Sequence, residues 1–213
     1  MFRWPGREQP LVFPDISLAA GEHLFLHGPS GTGKSTLLGL LAGMQIPHAG
    51  SVNLLGQRTS TMKAGTRDRF RADHMGVIFQ QFNLVPYLGA LANVTLPCRL
   101  SALRRARADR HPDTAASELL KELGIPENHW HHGVTNLSIG QQQRVAAARA
   151  LIGAPEIILA DEPTSALDTD NRDRFLDLLL TLARERQCSV VFVSHDKALA
   201  RHFHHQLALG GTP

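Results

Sequence analysis

The sequence predicts an α/β fold on a parallel sheet with a helical insert, and three observations carry that expectation. Two continuous apolar runs, at 156–160 and 189–193, have the composition of strands buried on both faces. Between them Phe175, Leu178, Leu179, Leu182 and Ala183 recur at i, i+3, i+4, i+7 and i+8, the face of an amphipathic helix crossing between two strands. From about Gln81 to Arg149 helical patterns occur without any buried-strand pattern.

Each element follows in chain order. Residues 23–27, HLFLH, read as a short strand running directly into Gly-Pro-Ser-Gly-Thr-Gly. Residues 34–44 have helical composition, and strand-like segments recur at 51–55 and 75–79. Within the insert, 114–123 reads as a helix closed by Gly124. Ser138 with Gln141 three residues on makes a capping-box pattern, opening a helix whose face includes Val145, Ala148, Leu151 and Ile152. Asp170 is placed to cap the crossover helix.

At 213 residues, 43% hydrophobic and 19% charged, the chain has the length and composition for one large domain with a sizeable core, which excludes disordered and collagen-like classes. No apolar run approaches the roughly 18 residues that a membrane helix needs. The start, MFRWPGREQP, has no apolar core of signal-peptide length, and Cys98 and Cys188 form no disulfide or metal framework, so a reducing cytosolic compartment is expected. The net charge of +3 is far from that of a dedicated nucleic-acid binder, and no nucleic acid is expected as a partner. The densest basic stretch, Arg99, Arg104, Arg105, Arg107 and Arg110, reads as a solvated helix face. The clusters His129, His131, His132 and His202, His204, His205 lack an accompanying cysteine and read as surface residues rather than a metal site.

Three motifs carry chemistry. The run Gly28, Pro29, Ser30, Gly31, Thr32, Gly33, Lys34, Ser35, Thr36 matches G-x-x-x-x-G-K-[ST] between a strand and a helix. Its glycines let successive N–H groups turn toward phosphate oxygens, and the following helix adds its positive N-terminal end. Lys34 is expected to reach the β- and γ-phosphates and Ser35 to bind Mg²⁺. The run 157–162 is an apolar strand ending in two carboxylates: Asp161 is expected to hold the Mg²⁺ shell and Glu162 to polarise an attacking water, their side chains diverging because strand neighbours point oppositely. The turn at Ser138 is itself an anion site in kind, an exposed helix N-terminus with a hydroxyl and a glycine.

Taken in order, these motifs make the chain resemble the ATP-binding cassette ATPases over nearly its whole length. The Walker A match is residues 28–36, the Q-loop match Gln80, the signature match 137–141, the Walker B match 157–162, the D-loop match 165–168 and the switch-histidine match His195. The resemblance implies a P-loop NTPase core of the RecA-like kind, formed by 1–80 and 150–213, with an α-helical subdomain at 81–149 and a short N-terminal antiparallel β portion. It implies a head-to-tail dimer, or a paired cassette subunit, sandwiching two ATP molecules with Mg²⁺. Ser138, Gly140 and Gln141 would then serve the nucleotide held by the partner, with Asp168 of the D-loop at the same interface. His195 would hold a γ-phosphate oxygen and sense its loss, and Gln80 would bridge Mg²⁺, water and the mobile helical insert. Trp4 sits where the adenine-stacking aromatic is expected.

Within the family, 79–86, 141–145 and 159–163 look like the MacB/LolD branch, with DevA-like features. That branch implies a peripheral subunit on the cytoplasmic face of the inner membrane, driving integral permeases of the MacB/LolC/LolE/FtsX kind that export or extract lipids, lipoproteins, peptides or drugs. The groove for their coupling helices is expected near 80–85. The other reading is a soluble, non-transport cassette ATPase acting on DNA or ribosomes, although no heptad run or repeat is visible. Three departures stand out. Ile139 stands where the family usually has the signature glycine; the strand that usually precedes Trp4 is not seen, so a truncated start is expected as one explanation; and with the sequence stopping soon after Leu209, no regulatory domain is expected.

Overall fold

The computed structural model describes residues 1–6, 9–109 and 111–210. Five parallel strands form the sheet: β1 His23–His27, β4 Met75–Ile78, β5 Ile157–Asp161, β6 Ser189–Val193 and β7 His205–Ala208, in the order β4-β5-β6-β1-β7. The register pairs Leu24 with Val191 and Ile158 with Val190, which aligns the strands' carboxyl ends along one edge of the sheet.

Alternation of side chains divides the core in two. Leu24, Leu26, Leu159, Val191 and Val193 face helices α1 (Lys34–Leu41) and α2 (Ala64–His74). Phe25, Ile158, Ala160, Val190 and Phe192 face the opposite layer, where α3 Ala90–Leu100, α4 Ala102–Arg107, α5 Pro112–Glu122, α6 Ile139–Leu151 and α7 Thr169–Glu185 pack. Residues buried on both faces explain why β5 and β6 read as continuous apolar runs.

Several expectations change in detail. The strand expected at 51–55 is a two-residue antiparallel hairpin, β2 Asn53–Leu54 with β3 Gln57–Arg58. A single bridge between Phe2 and Leu11 supplies antiparallel pairing at the N-terminus. The first helix stops at Leu41, before Gly43 turns into the left-handed region at φ 65°. Asp168, not Asp170, caps α7: its carboxylate accepts the Asn171 N–H at 2.9 Å, whereas Asp170 already lies in the first turn.

The basic stretch is not one solvated face. Arg104 is 2% exposed and donates to the carbonyls of Met75, Ala150 and Ile152 at 3.1, 2.8 and 2.8 Å, capping the C-terminal end of α6 against β4. Burial lowers its pKa to about 10, which leaves it charged at neutral pH. Arg107 pairs with Glu156, while Arg110 lies outside the described residues. His202 is no free surface residue either: its ring nitrogens lie 2.8 Å from Asp177 and 3.4 Å from Asp173. Among the described residues no group of three or more His, Cys, Asp and Glu is placed to hold a metal, and no helix is long and apolar enough to cross a membrane.

Candidate phosphate-binding site

The loop of residues 28–33 joins the carboxyl end of β1 to α1. Gly33 stands at the N-cap of α1 with φ 95° and no side-chain cap, so the first N–H groups of the helix are left open. Gly31 shares that left-handed conformation at φ 84°. Gly28 is required by close approach: a Cβ there would lie 2.2 Å from the Leu209 carbonyl oxygen. Lys34 is only 7% exposed, and its ammonium donates to the Gly28 and Pro29 carbonyls at 2.8 and 2.9 Å. Among the described residues no carboxylate pairs with it, so positive charge of the lysine and of the helix end accumulates at one point.

Strand β5 delivers two carboxylates to the same sheet edge. Asp161 is half-buried; burial raises its pKa, the nearby Ser35 hydroxyl opposes it, and the charge of Glu162 raises it while that of Lys34 lowers it. The Ser35 hydroxyl and the Asp161 carboxylate therefore meet as two hard oxygen donors, the kind that Mg²⁺ takes, beside the lysine. The reason the two acids diverge differs from the one expected. The strand ends at Asp161, and Glu162 leaves it in the left-handed region at φ 45°, its N–H still donating to Val193 at 3.0 Å. His195, two residues beyond β6, brings Nδ1 within 3.3 Å of Glu162 Oε2. Gln80 follows β4 by two residues and is exposed beside the end of β5, since Ile78 registers with Ala160.

Trp4 lies against the start of α1: its indole N–H donates to Thr36 Oγ at 3.2 Å, and its ring meets Phe2 edge-on at 5.2 Å. The ring is 40% exposed beside the loop.

The Ser138 turn forms both hydrogen bonds of the capping box, Gln141 N–H to Ser138 Oγ at 3.3 Å and Ser138 N–H to Gln141 Oε1 at 2.9 Å. Its residues are not brought to the 28–36 loop: among the described residues no hydrogen bond joins the two. They face outward instead, with Ser138 exposed and Ile139 55% exposed. Gly140 lies by Leu167, whose Cδ2 would stand 3.8 Å from a side chain's Cβ at that position, which sets the turn next to Asp168. Sequence reasoning missed Gln143, whose buried amide donates to the Pro163 carbonyl at 2.9 Å and ties α6 to the segment after Glu162. It also missed Gly210, whose Cβ would lie 2.4 Å from Thr32 Cγ2. A Gly-Gly pair after an apolar Leu209 was the available signal.

Residues 14–165 match the ABC transporter family. The chain is 42% identical over 186 residues to an uncharacterized ABC transporter ATP-binding protein, YbbA of Escherichia coli K12, covering 87% of this chain and 79% of that one. It is 41% identical to the lipoprotein-releasing system ATP-binding protein LolD of Hydrogenovibrio crunogenus, over 92% of this chain and 83% of LolD. It is 42% identical to the macrolide export ATP-binding/permease protein MacB of Escherichia coli, over 88% of this chain and 28% of MacB. Among solved structures, the dimeric ATP-binding cassette MJ0796 in a post-hydrolysis state bound to ADP and Pi superposes with a TM-score of 0.80 at 38% identity, over 91% of this chain and 83% of that one. With the phosphate loop, the paired acids and the outward-facing Ser138 turn in one chain, and these relatives at about 40% identity, the protein belongs to the ABC transporter family as an ATP-binding cassette.

Proposed function

We propose that this cassette hydrolyses MgATP in a head-to-tail dimer and so powers separate membrane subunits that export or extract a lipid, lipoprotein, peptide or drug. The observation that carries the reading is the Lys34 ammonium, buried under an open helix N-terminus and, among the described residues, without a salt-bridged carboxylate, while Asp161 and Glu162 stand at the carboxyl end of β5. An anion with several oxygens is the ligand such a site fits. In this reading the loop amides and Lys34 hold the β- and γ-phosphates, and Trp4 offers a π-face to the base. Ser35 and Asp161 would hold Mg²⁺, with Gln80 reaching the same shell; when bound, the ion supplies charge neutralisation of the phosphates. Glu162 would accept a proton from the attacking water, and His195, whose Nδ1 lies 3.3 Å from that carboxylate, would hold a γ-phosphate oxygen.

The outward turn of Ser138, Gly140 and Gln141 has free donors but no phosphate loop of its own chain within hydrogen-bonding reach. A second copy turned head to tail gives it one, and the dimeric assembly of MJ0796 supports that arrangement. Asp168 then lies at the same junction.

Docking to a membrane subunit is supported by a groove of about 840 Å³ between α2, α3 and β4, lined by Met44, Asp68, Arg69, Phe79, Leu96 and Leu100. Leu100 is 79% exposed there, and Asn83 at the groove's edge follows Gln80 by three residues. A partner helix seated in the groove would sense the γ-phosphate through Gln80. Acting through such a subunit, the protein would work at the cytoplasmic face of the cell membrane. The names of LolD and MacB support a lipoprotein, lipid, peptide or drug as the substrate class.

The test is Glu162→Gln in the purified cassette. Turnover should fall by about 10² or more, the contribution of a general base, while MgATP binding persists and the protein shifts to a dimer in size-exclusion chromatography. Hydrolysis near the wild-type rate would remove Glu162 from its assigned role.

A further inference from the structure

We infer that Arg149 is a positioning residue: it clamps the strained turn that follows Gln80 onto the helix that begins at Ser138, so the two move as one unit. The inference rests on the role proposed above for Gln80. Phe82 and Asn83 both lie in the left-handed region, at φ 59° and 49°. Neither is glycine, and two such residues in succession are unfavourable for L-amino acids. The turn is tight, the Asn83 N–H donating to the Gln81 carbonyl at 2.7 Å, and Arg149 takes both following carbonyls: one guanidinium nitrogen donates to Asn83 at 2.7 Å, the other to Phe82 at 2.5 Å.

Nothing else offers Arg149 a strong partner, since among the described residues no carboxylate pairs with it. Burial lowers its pKa, consistent with a cation held by carbonyls rather than by solvent. Phe82 itself is buried in the core of the helical layer, so the turn is anchored by its side chain and fixed in direction by the arginine. Arg149 stands eleven residues beyond Ser138, about 16 Å along α6 at helical rise. One rigid helix therefore carries the Ser138 turn at its start and the grip on the Gln80 loop near its end. A displacement of Gln80 on loss of the γ-phosphate would pass through Phe82 and Asn83 to Arg149, and from there to the turn that faces the partner's nucleotide.

A three-variant cycle tests this: Arg149→Met removes the clamp, and Asn83→Val attacks the same turn from the loop side, because a β-branched residue resists the left-handed region while the carbonyl that accepts from Arg149 is kept. Without nucleotide, amide exchange at Phe82 and Asn83 should rise roughly tenfold or more in each single variant. The double variant should show little further rise, as coupled residues do. In the same proteins kcat should fall about tenfold while the Kd for MgATP, measured in the Glu162→Gln background, stays within about twofold, because the loop of 28–36 is untouched. Arg149→Lys, which keeps a charge but cannot span both carbonyls, should lie between wild type and Arg149→Met, and serves if the latter folds poorly. Unchanged exchange at Phe82 and Asn83 overturns the clamp. Faster exchange with unchanged kcat overturns the positioning of Gln80. Absence of hydrolysis in the wild type would instead refute the proposed function, and the exchange measurements would still decide the clamp.

Discussion

Glu162 and Gly28 show how single residues set the chemistry. Glu162 is turned out of its strand by a left-handed backbone, an unfavourable conformation for a non-glycine residue and one that a β-branched replacement would not tolerate. Gly28 supports the loop from the other side, because its missing side chain lets the Leu209 carbonyl come against the P-loop backbone. Gly28→Ala forces backbone against backbone, since the obstructing atom is a carbonyl oxygen 2.2 Å from the new Cβ. We expect a loss of about 1–3 kcal/mol in unfolding free energy, as overpacking costs. MgATP affinity should fall with it, because the displaced strand end and the phosphate loop share that contact. Titration with a fluorescent ATP analogue beside a urea melt reads both; full affinity at wild-type stability would mean that the approach is not tight in solution. Residues of this kind are legible in the sequence where neighbours share a short run, as Lys34 does with Ser35 and Asp161 with Glu162. The partners that lie far along the chain, Leu209 on Gly28 and Gly210 on Thr32, are not, because no local pattern encodes a close approach between distant backbones.

At the scale of elements, legibility followed burial. β1 and β6 fall where their apolar runs put them, at His23–His27 and Ser189–Val193. By contrast, α2 was invisible: its sequence AGTRDRFRADH buries only Phe70, so it has no apolar stripe to read. β7 is missed for a related reason, since it is an edge strand with half-polar residues, paired among the described residues with β1 alone. The cap of α7 was misplaced by two residues because two aspartates compete, and only Asp168 has the extended backbone, at ψ 166°, that lets its side chain reach back to Asn171. The capping box of α6 was legible in full, and it yields a quantitative expectation. Ser138→Ala removes one acceptor for an orphan N–H and should cost about 1 kcal/mol of stability. Under the head-to-tail reading it should also slow hydrolysis well beyond what that loss explains, because the serine faces the partner's phosphate. Ser138→Asp keeps the cap but adds a negative charge; if it hydrolyses ATP at the wild-type rate, the turn does not face phosphate.

For the whole molecule, the balance between buried bases and paired acids sets how stability depends on pH. His23 at the start of β1 is 8% exposed with neither ring nitrogen hydrogen-bonded, and burial pushes its pKa down from 6.5, helped by the charge of Arg184. His27, before the phosphate loop, is likewise pushed down, by burial and then by Lys197. Each therefore takes up a proton less readily in the fold than in the unfolded chain, so stability falls as pH drops below about 6.5, by at most about 1.4 kcal/mol per pH unit for each group. Glu156 acts lower on the scale. Burial alone would raise its pKa, but hydrogen bonds from Arg107 and His74 outweigh it and hold the carboxyl at about 2. Its contribution is thus present above about pH 4.5 and is lost as pH falls toward 2. Glu156 joins the start of β5 to α2 and α4, so its protonation loosens the sheet from helices on both layers. Urea midpoints measured from pH 8 to pH 3 should therefore decline in two stages. His23→Leu should flatten the first stage and leave the second. Glu156→Gln should lower the midpoint at pH 7, where its charged pair with Arg107 is lost, and flatten the second stage. A decline below pH 6.5 as steep in His23→Leu as in the wild type would assign that stage to other groups.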